Sequence, residues 1–422
     1  MTPVAEAEKA VGIECYATDG APCAARVKST AKDFVVEELL LAGEISKEAR
    51  PEYLPLYRVE KHSIDTMHMA RDLSEALRSN VSYGGLKDKR AAAVQYVTPT
   101  SRRSSRPTSV VKKNYSASLV GYVPRPMSRA AILGNKFAIT LRDCCPEVEQ
   151  RVEEAMRAAS DKRLPNFYGL QRFGTSSAGT HLIGKAIIRQ AFGEAVELLL
   201  RGPPQMYQDG GSGGQEELSR GEYGDAVRLL PPGRDVERRV AKELASHPGE
   251  WVRALRAVPV GLRRLYVQAY QSYLFNKTLS RALAVGEDIS ALKAGDNWAG
   301  TSSDGLVSSA PRGVRDNPTE MAVPLVQLVG YAYRDYGSRF DSLIKEVLEN
   351  EGISPGQFFV KEAQEVSSEG GFRRPHLAAR DASWTVGERT ATLNFTLARG
   401  QYATVLLREI IKPRDPAASG LA

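Results

Sequence analysis

The feature that most constrains this chain is a change of period along it. From about residue 25 to 145 the pattern is strand-like. Phe34-Val35-Val36, Leu56-Tyr57-Arg58-Val59 and Val94-Gln95-Tyr96-Val97-Thr98 are β-branched and aromatic runs, and Phe137, Ile139 and Leu141 fall on one face at period two. Two helices interrupt these strands. Thr66 to Arg78 carries Met67, Ala70, Leu73 and Leu77 at spacings of three and four, with Thr66 as N-cap, and Glu147 to Ala159 carries Val148, Val152 and Ala155 on one stripe. The middle is helical by period, over His181–Leu200, Leu262–Leu283 and Ser338–Asn350. It is broken by a Gly-rich loop from Pro203 to Gly214 and by Pro231-Pro232-Gly233. Strands return at the end. Leu393, Phe395 and Leu397 alternate, Ala398-Arg399-Gly400 turns, and Tyr402, Thr404 and Leu406 alternate again, which reads as a hairpin. Strands at both ends with helices between them imply one α+β sheet domain interrupted by an insertion. A length of 422 residues suits two or three domains.

Composition narrows the classes. With 42% apolar and 25% charged residues the chain is an ordinary globular one. No run approaches the roughly 20 apolar residues of a membrane helix; Leu39-Leu40-Leu41-Ala42 is core-sized. Met1-Thr2-Pro3-Val4-Ala5-Glu6 has neither a basic nor an apolar leader region, and four cysteines are too few for a disulfide framework, so a cytoplasmic protein is expected. No Cys-x-x-Cys occurs, and His62 and His68 do not share a helix face. There is no P-loop and no Gly-x-Gly-x-x-Gly after a strand. Neither a metal nor a nucleotide cofactor is expected.

The charge is uneven. Between Lys89 and Arg142 there is no Asp or Glu, yet the window holds 11 basic residues; the rest of the chain has 46 basic and 50 acidic residues. A local cationic surface attracts a polyanion through its phosphates. Lys87, Lys89, Arg90, Arg102, Arg103, Arg106, Lys112 and Lys113 are the candidate RNA contacts in and beside this window. A solvated basic loop, or a catalytically silent RNA-binding or RNA-chaperone protein, would carry the same charges.

Two segments could carry chemistry. In Tyr83-Gly84-Gly85-Leu86-Lys87-Asp88-Lys89-Arg90 a single carboxylate stands among three cations. Their charge depresses its pKa, and an ionised carboxylate in a pocket is a nucleophile; on a surface the same turn is only an ion-pair cluster. In Pro165-Asn166-Phe167-Tyr168-Gly169-Leu170-Gln171-Arg172-Phe173-Gly174, amide, aromatic and guanidinium groups fit base recognition as well as they fit a core corner. Tyr266, Tyr270 and Tyr273, with Phe275, read as core packing on one helix.

Taken in order, five segments resemble the TruD family of pseudouridine synthases: Lys32–Glu38; Gly85–Ala91 with Gln95 following; Asn166–Gly174; Ala269–Asn276; and Leu397–Thr404 with Arg408-Glu409. The resemblance implies a pseudouridine-synthase-like catalytic domain with a mixed, mainly antiparallel sheet flanked by helices. Its parts would be residues 1–190 and 380–422, with a mostly helical insertion over 191–379. The length of that insertion resembles archaeal members. It further implies isomerisation of uridine to pseudouridine in tRNA, most often at position 13, without cofactor, metal, membrane or obligate protein partner. Asp88 would be the nucleophile and Lys28 its cationic partner. Phe34 would wall the pocket, Asn166 and Tyr168 would orient the flipped base or the loop, and Tyr402 would stack on the base. Gln171 and Arg172 would join the RNA contacts. Ala92-Ala93-Val94 departs from the Val-Thr-Arg-like residues of many relatives, and the Thr98–Tyr115 loop is unusually rich in Ser and Arg.

Overall fold

The computed structural model describes residues 2–41, 45–174, 179–202, 214–301 and 322–422. All but the last residue of the expected Gly-rich loop at 203–214 lies outside them. The fold is α+β. In chain order the first half runs α1 (Glu6–Lys9), β1 (Phe34–Leu40), β2 (Leu54–Lys61), α2 (Thr66–Leu77), β3 (Val81–Tyr83), β4 (Ala92–Pro99), β5 (Ser109–Val111), β6 (Tyr115–Val123), β7 (Ile132–Arg142), α3 (Val148–Ser160) and β8 (Leu164–Pro165). The middle runs α4 (Thr180–Ile188), α5 (Phe192–Arg201), α6 (Gln215–Arg220), α7 (Tyr223–Leu229), α8 (Asp235–Ser246), α9 (Trp251–Arg256), α10 (Val260–Ala284), β9 (Asn297–Gly300), β10 (Ala322–Leu328) and α11 (Arg339–Glu351). The chain ends with β11 (Gly371–Arg373), β12 (His376–Leu377), β13 (Ala379–Gly387), β14 (Thr390–Ala398) and α12 (Ala403–Ile411).

Nine strands form the main sheet in the order β13-β14-β7-β1-β4-β2-β6-β5, with β3 added beside β4. Only the β1–β4 pairing is parallel. The sheet therefore takes strands from both ends of the sequence, as the change of period implies. Strands β9, β10 and β11 form a small separate sheet, and β8 pairs with β12. One face of the main sheet carries two helical layers. On one half, Met69, Leu73 and Leu77 of α2 cover Tyr57, Val59, Val97, Tyr115 and Ala117. On the other, Val148 and Val152 of α3 and Val405 and Leu406 of α12 share a core with Val36, Phe137, Ile139 and Phe395, and that core continues into the middle helices. Tyr266, Tyr270 and Phe275 on α10 are buried there, as expected, Tyr273 is only half-buried against the same core, and α4 packs against α10. No helix among the described residues is long and apolar enough to cross a membrane.

Three expectations are corrected. Residues 402–406 are not a strand. Tyr402 is the extended N-cap of α12, and Ala403, Leu406, Leu407 and Ile410 bury one helical stripe at spacings of three, four and seven. Over five residues period two and period 3.6 overlap, and the longer stripe decides. The hairpin is the β13–β14 pair. The helix expected over 181–200 is two helices, parted where Gln190 takes a left-handed φ of 57°. The N-cap of α2 is Asp65, whose side chain accepts from Met67 N and His68 N; Thr66 is turned inward.

A further difference is the Cys23–Cys145 disulfide, between residues 122 apart in sequence. It fastens the segment entering β1 to the turn after β7, beside the Cys145 N–H bond to Ala24 O (2.8 Å) and the Arg26–Arg142 bridge. By the chain-entropy model a cross-link of this span stabilises by about 5 kcal/mol. Cys145→Ser is accordingly expected to unfold at lower urea, and dithiothreitol to shift the parent protein but not the variant.

Candidate active site

The groups of interest lie in the gap between the two helical layers. Glu38 faces Asn135 in register, two residues along from the Val36–Phe137 pair, and Gln95 follows Ala93 on the same face of β4. Here the sheet face turns from apolar to polar. Thr66 organises this seam: its hydroxyl donates to Gln95 Oε1 (3.0 Å) and accepts from Lys87 N (2.9 Å), which pins the loop between β3 and β4 against α2. Lys87, expected on RNA, points inward, donating to Asn135 Oδ1 (2.6 Å) and pairing with Glu38 (3.1 Å).

The next residue, Asp88, is held on both carboxylate oxygens. Lys28 Nζ donates to Oδ2 at 2.7 Å and Arg90 N to Oδ1 at 3.0 Å. The Lys28 side chain is 4% exposed and that of Asp88 32%. Lys61 Nζ donates to the Asp88 main-chain oxygen (2.9 Å) and to Ile64 O (2.7 Å), fixing the backbone rather than the acid. Burial pushes the Asp88 carboxyl up, but the Lys28 hydrogen bond, the Arg90 N–H and the charges of Lys28 and Lys61 outweigh it and hold the group below its ordinary range. Burial draws Lys61 down to about 8. Lys28 adopts a left-handed φ of 59°, rare for a lysine, and its ammonium lies 5.0 Å from the Phe34 ring centroid. Phe34 meets Phe137 edge-on, and Phe137 stacks on Phe395. Lys28, Phe34 and Asp88 thus share one site.

A second cluster gathers Asn166, Tyr168 and Tyr402. The guanidinium of Arg373 lies 4.0 Å from the Tyr168 ring centroid, 5.4 Å from Phe275 and 5.7 Å from Tyr402. Its Nη2 donates to Asn166 Oδ1 (2.8 Å) and O (3.0 Å). Asn276 of α10 brackets Tyr168, accepting from its N–H (2.8 Å) and donating to its carbonyl (3.0 Å). A Cβ on Gly169 would stand 3.0 Å from Thr404 Oγ1, so the loop lies tight on the first turn of α12 and brings Tyr168 to 6.1 Å from Tyr402. The strand that leads to the second cluster borders the first: Leu397 of β14, shortly before Tyr402, pairs with Asn135, the acceptor of Lys87.

The remaining basic candidates divide. Lys89 and Arg90 are exposed beside Asp88. Arg102, Arg103, Arg106, Lys112 and Lys113 lie around the β5 edge; Arg102 donates to Glu52 O and Arg106 to Tyr53 O, while Lys112 lines a hollow with Lys61, Ala92 and Ala93. Gln171 is exposed, while Arg172 is engaged with Ser272 and Gln268 of α10. Sequence reasoning missed Lys61, Glu38, Thr66 and Arg373. A charged residue at an inward position of an alternating strand was the available signal for Lys61 and Glu38; the Arg373-Arg374 pair before a proline gave a weaker one.

No group of three or more metal-type ligands occurs among the described residues. The family model for tRNA pseudouridine synthase D (TruD) matches residues 10–410. Proteins named tRNA pseudouridine synthase D from Pyrobaculum arsenaticum and Methanopyrus kandleri are each 32% identical. The first match covers 98% of both chains, the second 84% of this chain and 85% of the relative. A crystal structure from Methanosarcina mazei, titled as a tRNA pseudouridine synthase D, superposes with a TM-score of 0.75 at 26% identity, covering 97% of this chain and 98% of that one. On geometry and sequence together, the chain belongs to the TruD family of tRNA pseudouridine synthases.

Proposed function

We propose that the chain isomerises uridine 13 of tRNA with Asp88 as nucleophile and no cofactor. The observation that carries this reading is a half-buried carboxylate kept anionic by one buried lysine, open on a seam between two helical layers. A uridine within a stem must leave the stack to reach such a group, at a cost of a few kcal/mol. Stacking on Tyr402 and backbone contacts from the basic window offset that cost. An Asp88 oxygen then attacks C6 of the base or C1′ of the ribose. The N1–C1′ bond breaks, the uracil turns, C5 bonds to C1′, the bond from Asp88 to C6 or C1′ breaks to return the carboxylate, and the proton lost from C5 is balanced by one gained at N1. Substrate and product are isomers, so the chemistry calls for no redox or group-transfer partner.

Asn166 and Tyr168 orient the base, and Phe34 walls the pocket. Residues 1–190 and 380–422 act as one catalytic unit around the insertion. In support, no described strand between residues 191 and 378 joins the nine-stranded sheet. A tRNA substrate also agrees with a cytoplasmic location.

Asp88→Asn keeps the shape and removes the nucleophile. Pseudouridine formation, read by carbodiimide primer extension, is expected to fall more than about 10³-fold, with tRNA binding retained; full activity in this variant would overturn the reading. Because Lys28 holds the Asp88 pKa down, the acid form gains ground only at low pH. In Lys28→Met the carboxylate protonates at higher pH, so the acid limb of the pH–rate profile is expected to move upward. Tyr402→Phe keeps the ring and is expected to bind tRNA normally. A turnover about 10²-fold slower assigns the hydroxyl to removal of the C5 proton, and an unchanged rate assigns stacking alone.

A further inference from the structure

The turn that delivers Tyr402 is flanked by cations that the reading above leaves unused. Arg373 is 9% exposed, and its Nε and Nη2 are committed to Asn166. Its Nη1 has no hydrogen-bond partner among the described residues and lies toward Gly400: a Cβ there would stand 3.5 Å from it. The same point is 3.5 Å from Nη2 of Arg129, which reaches in from the turn before β7. The two guanidinium nitrogens are therefore within about 7 Å of each other across a glycine that takes a left-handed φ of 82° and offers no side chain to fill the gap. Arg399 locks the arrangement, donating from Nη1 to the carbonyls of Arg129 and Ala130 at 3.2 Å each. Among the described residues none of these three arginines forms an ion pair with a carboxylate.

Like charges brought together without a counter-charge repel, unless an anion sits between them. A phosphodiester has two non-bridging oxygens, each accepting a charge-assisted hydrogen bond at about 2.8 Å, so one phosphate between two guanidiniums suits this spacing. Gly400 is two residues from Tyr402, so that phosphate belongs to the nucleotide stacked there or to its neighbour. We propose that Arg129 and Arg373 grip a single RNA backbone phosphate beside the target uridine, across Gly400. The proposal rests on the RNA-modifying reading of the site. It adds the point at which the backbone is held while the base is out of the stack.

Arg129 is exposed, so its removal spares the Arg373–Asn166 contacts. tRNA binding by the parent protein and by Arg129→Ala is measured against salt. The variant is expected to bind about tenfold more weakly and to lose about one from the slope of log K against log[salt]. Arg157→Ala, which removes an exposed guanidinium of the same sign from α3, is expected to leave the slope unchanged. Full-length tRNA is then built with one methylphosphonate at each linkage flanking the modified uridine. One linkage is expected to weaken the parent protein and to cost Arg129→Ala nothing further. An unchanged slope in Arg129→Ala, or a methylphosphonate penalty equal in both proteins, overturns the clamp. So does a variant altered only in its response to inorganic phosphate, which would mark a free-anion site. Pseudouridine formation by the parent protein on the same tRNA is scored alongside. If none forms, the reading of the reaction fails; if it forms and the slopes match, only the clamp fails.

Discussion

A carboxylate that must stay charged away from water needs a cation that stays with it, and the contact between Lys28 and Asp88 meets that requirement. Desolvation works against ionisation of the acid. Nearly all of the lysine is also out of solvent, so each group would be costly alone. Their pairing explains several local oddities together. Lys28 tolerates a left-handed backbone because its side chain is needed there, and the segment around it is tied down by the disulfide, by the Arg26–Arg142 bridge and by Val27 N bonding to Ser419 O. Lys61 and Thr66 hold the other partner's loop by its backbone, leaving the carboxylate to the ammonium.

The sheet provides the frame. Its face is apolar under α2 and again under α3 and α12, and polar between them, where Glu38, Gln95 and Asn135 sit. A polar strip in the middle of a sheet is unfavourable unless each group finds a partner. Lys87 supplies one for both Glu38 and Asn135, and Thr66 one for Gln95 Oε1, while Gln95 Nε2 stays buried with no hydrogen-bond partner among the described residues. The strip thus parts two cores and anchors the loop that carries Asp88.

What could be read from the sequence follows from distance along the chain. The Asp88 turn was legible because its charges are local and its segment resembles a family motif; Lys28 and Phe34 came with the neighbouring motif. The strands of the first half were legible by period. The start of α12 was not, since five residues satisfy both periods and only the buried stripe beyond them decides. Arg373 could not be read because its partner Asn166 lies 207 residues away, and nothing in the Arg-Arg pair says which guanidinium will stack on Tyr168. Cys23 and Cys145 gave no hint of pairing for the same reason. Thr66 looked like a cap because caps are what threonine commonly does at that position; the preceding aspartate took the role and freed the hydroxyl for the seam.

The pairing of β7 with β14 has a temporal side. On the ribosome, Arg142 emerges some 250 residues ahead of Thr390, which at 5–20 residues per second is a wait of about 12 to 50 s. Until β14 arrives, the nascent sheet ends at β7 with an unpaired row of backbone donors and acceptors and with Phe137 uncovered by Phe395, the kind of edge that recruits wrong strands. The segment that holds the acid is therefore translated long before the one that holds Tyr402, and a chain that stalls within the insertion would expose that edge to its neighbours.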